Sequence, residues 1–389
     1  MSRTASPPIL KMSNFGPLKR ADVSFGDLTI FVGPQASGKS VLLQMLKLAV
    51  DYRVIAATLR KQGYDWQDNG SALLELFLGE GMGNLWREDT KMEWKGVEKT
   101  LASFSPGAVR SDSKPKLFYI PAHRVLTLKN GWPRHFGDYT PGDPYVVQDF
   151  SEQLRLLMEA GLGRGEAIFP QIGRLTDATR KLLKRGIFGD FDLKVHQNGS
   201  QKRLVLQRKG EKPLPFMAWS AGQREFSPLL LGLYHLMPSA GSARRAGLDW
   251  LVLEEPEMGL HPRAITAVLF MVLELMQRGY RVCISTHSPH VLDMVWALQV
   301  FISEGAPPES LLKLFDVGTS PKNKEIAANI LKKKLKVYYF DREGSEVVDI
   351  SQLDSSSEQS AERTWGGMTE FSARASDVVA DFIANKKQS

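Results

Sequence analysis

One cysteine, Cys283, stands among 389 residues. A single thiol cannot close an internal disulfide, so a disulfide-stapled secreted fold is excluded and the reducing cytoplasm is expected. The same scarcity rules out a nuclease centre built on paired cysteines and histidines. Cys283 lies within the run Val282-Cys283-Ile284, which assigns it to core packing. Apolar runs are short as well. None approaches the roughly 18 residues that a membrane span requires. The start, Met1-Ser2-Arg3-Thr4-Ala5-Ser6-Pro7-Pro8, has no apolar signal core, so no membrane partner is expected. Internal repeats and low-complexity tracts are missing too. The chain is long enough to bury a large core, as one big domain or two moderate ones.

The net charge is +7. That balance permits contact with an acidic polymer without requiring it. Part of it is local. Between Arg180 and Lys212 there are ten Lys or Arg against three acids. A solvated helix end and hairpin accounts for this run; a groove for nucleic-acid phosphates or an acidic protein is the alternative.

The most telling stretch is Gly33-Pro34-Gln35-Ala36-Ser37-Gly38-Lys39-Ser40. It is a complete phosphate-binding loop. The apolar run Leu28–Val32 leads into it and reads as a buried strand. From Lys39 to about Leu59, apolar residues recur at helical spacing. Glycines at 33 and 38 let the backbone wrap close to an anion. Loop amides and the helix start then supply positive potential. Lys39 would reach the β- and γ-phosphates, and the Ser40 hydroxyl would ligate Mg²⁺.

Along the chain, Ile9–Phe25 reads as an antiparallel start with a turn at Asn14-Phe15-Gly16-Pro17. Residues 64–115 read as short strands and turns. Lys116–Pro121 is a strand ending in Ala122-His123-Arg124. Residues 125–190 are punctuated by Gly131-Trp132-Pro133, Pro141-Gly142-Asp143-Pro144 and Gly161–Gly165, and are expected to form an inserted helical arm or lid. Asn198-Gly199 signals a hairpin between Phe191–His196 and Lys202–Arg208. The tail from Ser355 is polar with a short helical end. The expected division is 1–124 and 191–340 as two lobes of one nucleotide-binding head, 125–190 as the insert and 341–389 as the tail.

Three more elements follow the loop in order. Trp219-Ser220-Ala221-Gly222-Gln223 opens an apolar helix, a second anion-friendly helix start, with Ser220 as a plain N-cap on the simpler reading. Trp250-Leu251-Val252-Leu253-Glu254-Glu255 is a buried strand delivering two carboxylates. Glu254 can hold the Mg²⁺ shell beside Ser40, and Glu255 can orient and deprotonate an attacking water. Arg281–Ser285 is a strand leading to His287, whose imidazole can hydrogen-bond a γ-phosphate. Arg124 is a candidate phosphate sensor or transmitter of closure; an ordinary surface ion pair is the simpler reading.

In that order and spacing the set resembles the ABC-type ATPase head, with an α/β fold of mixed sheet flanked by helices and an inserted helical arm. Gly33–Ser40 matches Walker A, and Ser220-Ala221-Gly222-Gln223 is similar to the signature motif with alanine at its first glycine. Leu251–Glu255 resembles Walker B, Met258-Gly259-Leu260-His261 the D-loop, and His287 the switch histidine. Glu254 stands where Asp is usual, which implies slow hydrolysis. The pattern Glu-Glu-Pro-Glu-Met-Gly-Leu-His-Pro resembles the SMC, RecF and overcoming-lysogenisation-defect branch and departs from transporter subunits. Asn14–Pro17, Tyr119–Arg124 and Val337–Phe340 are similar to stand-alone ATPases of bacterial anti-phage systems of the Septu, PARIS or retron-associated type.

The resemblance implies ATP and Mg²⁺ as cofactors and a homodimer, or higher homo-oligomer, of heads stacked on ATP. Lys39, Ser40, Glu254, Glu255 and His287 of one copy would face Ser220 and Gly222 of the other. It further implies a sensing or scaffolding ATPase whose effector, a nuclease, is another chain. Two alternatives stay open: a RecF- or SMC-like repair ATPase that binds DNA directly, and an ATP-holding scaffold with little hydrolysis.

Overall fold

The computed structural model describes residues 7–386 except 68, 105–113, 161, 163–166, 200 and 239–243. Its centre is a six-stranded sheet. In spatial order the strands are Val347–Asp349, Leu335–Phe340, Leu28–Val32, Arg281–Ser285, Trp250–Glu254 and Leu117–Ile120. All run parallel except Val347–Asp349, which pairs antiparallel at one edge. The inner strands are mostly apolar because both of their faces are covered; Thr29, Glu254 and Ser285 are buried polar residues among them.

Side chains alternate between two cores. Leu28, Ile30, Val32, Leu251, Leu253, Val282 and Ile284 enter one of them. Phe31, Trp250, Val252 and Cys283 enter the other. The helix Lys39–Lys61 covers the second core through Leu42, Met45 and Leu46. The helices Ala221–Leu236 and Pro262–Gln277 cover the first through Phe226, Leu229, Val268 and Leu269. Burial raises the Cys283 thiol well above its ordinary range, in keeping with a packing role.

This order places Arg281–Ser285 between the strand that feeds the phosphate loop and the strand that carries the carboxylates. Ser285 pairs with Phe31 on one side and with Glu254 on the other. Three adjacent parallel strands therefore end side by side, at the edge where α/β sheets hold ligands.

Two antiparallel sheets flank this body. One has the order Leu18–Ser24, Ile9–Phe15, Trp86–Trp94, Val97–Lys99; the other Leu214–Pro215, Gln201–Gln207, Asp192–Asn198, Ala167–Phe169. The hairpin at Asn198-Gly199 is present, with pairs from Asp192↔Gln207 to Asn198↔Gln201. Residues 64–115 differ from a run of strands and turns: they include the helix Gly70–Leu78, capped by the Asn69 side chain, which accepts from the Ala72 N–H at 3.1 Å. Within 125–190 the longest element is the helix Tyr145–Glu159. It does not project as an arm. Phe150, Leu154 and Met158 enter one core, and Tyr145, Val146 and Val147 the other. Gly161 and residues 163–165 of the expected glycine-rich turn lie outside the described residues. The tail carries a longer helix than expected, Glu370–Lys386, which exposes Phe371, Val378, Val379 and Phe382. Among the described residues no helix is long and apolar enough to cross a membrane.

Candidate nucleotide site

The phosphate loop is shaped by contacts that exclude side chains. Gly33 has φ 143°, and a Cβ there would lie 2.6 Å from the Phe340 carbonyl oxygen. Gly38 has φ 97°, and its Cβ would meet Leu18 at 2.8 Å. Both positions therefore need glycine. Gly38 is also the N-cap of Lys39–Lys61, with no side-chain cap and no acid in the first turn. The leading amides of this 23-residue helix are left to an anion.

Lys39 is buried and folds back over the loop. Its Nζ donates to the carbonyls of Gly33 at 2.8 Å and Pro34 at 2.6 Å, and to Ser37 Oγ at 3.3 Å. Burial pushes its pKa down to about 8, against the upward pull of Glu255, Glu257 and Glu254. A phosphate would compete with the loop carbonyls for this ammonium.

Glu254 closes its strand with 4% of its surface exposed. Its Oε2 accepts the Ala122 N–H at 3.2 Å, and its Oε1 has no hydrogen-bond partner. Burial raises its pKa, and the Ser40 hydroxyl, the Ala122 amide and Tyr119 pull it back down. Glu255 follows in a left-handed conformation, φ 42°. For a non-glycine residue that costs about 1–3 kcal/mol and persists only where surroundings impose it. Here its N–H donates to Ser285 O at 2.9 Å while its carbonyl accepts from Arg124. The result turns the Glu255 side chain toward His287, whose Nε2 lies 3.6 Å from Glu255 Oε1. Burial, then Lys39, lowers the His287 pKa while Glu255 opposes them, which favours the neutral ring.

Ser220 caps the helix Ala221–Leu236. Its Oγ accepts the Gln223 N–H at 3.3 Å, and Gln223 Oε1 accepts the Ser220 N–H at 3.1 Å. The capping box consumes two groups but leaves the Ala221 and Gly222 amides and the Ser220 hydroxyl proton free to donate. Ser220 and Ala221 are exposed. Gly222 presses on the turn after the carboxylates: a Cβ there would lie 2.9 Å from the Gly259 carbonyl oxygen.

The structure thus gathers Lys39, Ser40, Glu254, Glu255 and His287 at the ends of adjacent strands. Ser220–Gln223 connect to that group through Gly222 and through Glu225, which meets Arg124. Arg124 is not on the surface. It is wholly buried and donates to three carbonyls, those of Glu225, Glu254 and Glu255. The sequence reading gave no role to Glu257. Its Oε1 accepts from the Thr286 hydroxyl at 2.8 Å and the His287 N–H at 2.6 Å, fixing the histidine's backbone. The one available signal was the third acid in Glu254-Glu255-Pro256-Glu257.

Fold and site together give a mixed α/β architecture with a phosphate-binding-loop motif, Gly33–Ser40, at the end of a central strand. Residues 161–293 match the family model described as an AAA domain, putative AbiEii toxin, Type IV TA system. That span holds Ser220, Glu254, Glu255 and His287 but not the phosphate loop. No curated protein matches the chain. Among solved structures it is similar to an SMC head bound to the C-winged helix domain of ScpA, at 11% identity and TM-score 0.39, over 73% of this chain and 90% of that one. An SMC head from Thermotoga maritima aligns over the same shares at 13% identity and TM-score 0.31. An Smc head with an extended coiled coil, bound to the C-terminal domain of ScpA derived from Pyrococcus furiosus, gives 8% identity and TM-score 0.36, over 74% of this chain and 91% of that one.

The residues fit a nucleotide and its metal. The glycine cradle would be filled by any Cβ, and the loop helix starts uncapped. The unpartnered Glu254 Oε1 beside Ser40 suits Mg²⁺, which takes few protein oxygens and keeps waters and phosphate oxygens. Among the described residues no group of three or more His, Cys, Asp or Glu could hold a metal.

Proposed function

We propose that the chain is an ATPase whose heads pair around ATP and thereby control a partner effector, a nuclease, in an anti-phage or toxin–antitoxin setting. The observation that carries this reading is a division of parts. Lys39, Ser40, Glu254, Glu255 and His287 converge on one loop, while Ser220 to Gly222 present donors outward. A triphosphate seated on Gly33–Ser40 would have its outer side uncovered, and a second copy's Ser220 and Gly222 would complete the cage. The description of the matched family model supports the defence setting.

Lys39 would release the loop carbonyls and hold the β- and γ-phosphate oxygens. Ser40 and Glu254 would hold Mg²⁺, which when bound neutralises charge on the phosphates. Glu255 would orient a water and take its proton as the water oxygen bonds to the γ-phosphorus and the bond to the bridging oxygen breaks. His287 would donate a ring N–H to a γ-oxygen. Each charge-assisted hydrogen bond across the pair contributes about 1.5–3 kcal/mol, so loss of the γ-phosphate opens it. The test is sedimentation of Glu255→Gln with ATP and with ADP. A dimer with ATP and a monomer with ADP is expected; the same species in both would overturn the pairing.

One observation favours direct contact with nucleic acid as a second reading. Much of the basic run is paired: Arg180 and Lys181 with Asp177, Arg185 with Asp316, Arg208 with Glu211. Lys202 and Arg203 have no carboxylate partner among the described residues. They line a cavity of about 740 Å³ with Lys129, Arg134 and Trp132. Binding of a labelled oligonucleotide that falls steeply with salt, and is lost in Lys202→Glu/Arg203→Glu, would support this reading.

A further inference from the structure

We propose that Arg124 is a positioning residue that couples the two nucleotide sites of a head pair, by tying the helix that serves the partner's ATP to the carboxylate that serves its own. This rests on the paired-head reading above. Three donors of one guanidinium reach three backbone carbonyls. Nε donates to Glu225 O at 3.2 Å, Nη1 to Glu254 O at 3.1 Å and Nη2 to Glu255 O at 3.1 Å. The first belongs to the second turn of Ala221–Leu236, the second to the end of Trp250–Glu254, and the third to the left-handed residue that aims the Glu255 side chain.

The surroundings match a coupling role better than a ligand-sensing one. Arg124 has no exposed surface, and its fork is turned onto carbonyls, so no phosphate can reach it. Its charge is supported by Glu225, whose Oε2 lies 4.0 Å from Nε and has no hydrogen-bond partner. A second contact joins the same two elements. Gly222 lies against the Gly259 carbonyl, and a Cβ on Gly259 would sit 3.1 Å from Glu225 Cγ. Helix start and carboxylate turn are thus packed backbone to backbone and pinned by one planar cation. A shift of Ala221–Leu236, as Ser220 seats on a facing nucleotide, must move the Glu225 carbonyl. Arg124 passes that displacement to the Glu255 carbonyl, which fixes the direction of the hydrolytic side chain. Lysine cannot do this: its ammonium lacks the rigid fork that spans three carbonyls.

The experiment uses the full chain with Arg124→Lys. Labelled-ATP affinity, kcat, thermal unfolding and amide hydrogen exchange are measured with and without ATP. We expect ATP affinity within about threefold of wild type and kcat lowered roughly 100-fold, the scale of a misplaced catalytic group. In the wild type, ATP should slow exchange at 221–236 and 250–260 together; in the variant the two segments should respond separately. A kcat within about threefold of wild type, or parallel losses of affinity, kcat and thermal stability, would overturn the proposal. Should Arg124→Lys fail to fold, Gly222→Ala perturbs the same junction from the other side. An unchanged kcat there would overturn it as well. A wild type with no ATP turnover or no ATP-dependent pairing would instead sink the function on which the coupling rests.

Discussion

Two helix starts in this molecule invite an anion, and they are built in opposite ways. Lys39–Lys61 begins at an uncapped glycine, braced from behind, with a buried lysine folded over it. Ala221–Leu236 begins at a serine locked in a capping box, exposed, with no lysine at its first turn. The first leaves its amides open and cradles a phosphate from one side only. The second satisfies itself and offers only leftover donors, which suits a surface that meets a nucleotide held elsewhere. A paired assembly needs both kinds, because a site complete within one chain would have no use for a partner.

Four substitutions or titrations can break that contrast. Lys39→Ala should abolish measurable ATP binding in a labelled-nucleotide assay; binding within a few-fold of wild type would remove the loop from the mechanism. Glu255→Gln should retain ATP but lose turnover by about 10²–10⁴-fold, the range for a general base. Normal steady-state phosphate release in that variant would exclude Glu255 as the base. Ser220→Ala should leave ATP binding by a single head unchanged. It should lower turnover by about 10- to 100-fold, as expected for one lost hydrogen bond to a charged group. An equal fall in single-head binding would place both helix starts on one nucleotide and end the contrast.

The smallest effect concerns pH. The Lys39 pKa of about 8 is depressed, so below it the ammonium is already charged and ATP binds without taking up a proton. Above it, binding must first protonate Lys39, and affinity should fall by up to about tenfold per pH unit. A titration of ATP affinity across that point checks the sign. A flat profile in wild type, or the same slope in Lys39→Met, would show that Lys39 is not the titrating group.

The phosphate loop and the buried strands were legible because their cause is local. Positive φ demands glycine at 33 and 38, and strands covered on both faces read as near-continuous apolar runs. The helix Gly70–Leu78 is less legible: Leu73, Leu74, Phe77 and Leu78 form one buried face, but the element is only nine residues long and opens on the turn-forming pair Asn69-Gly70. The helix Tyr145–Glu159 packs into both cores where the sequence predicts an arm. Pro/Gly punctuation marks where a segment turns, not what it turns toward. The role of Arg124 is not encoded locally. Its partners lie 101 to 131 positions away and are backbone carbonyls, which carry no side-chain signature. The task of Glu257, holding Thr286 and the His287 amide, appears only once two strands stand side by side.

The bracing of Gly33 has a consequence for the order of events at the ribosome. The loop leaves the exit tunnel early, yet the Phe340 carbonyl that backs it belongs to a strand translated long afterward, and that strand also zips onto Leu28–Val32. Until then the nascent loop has neither rear support nor its neighbouring hydrogen-bond ladder. A half-made chain should therefore be unable to seat a phosphate on this loop.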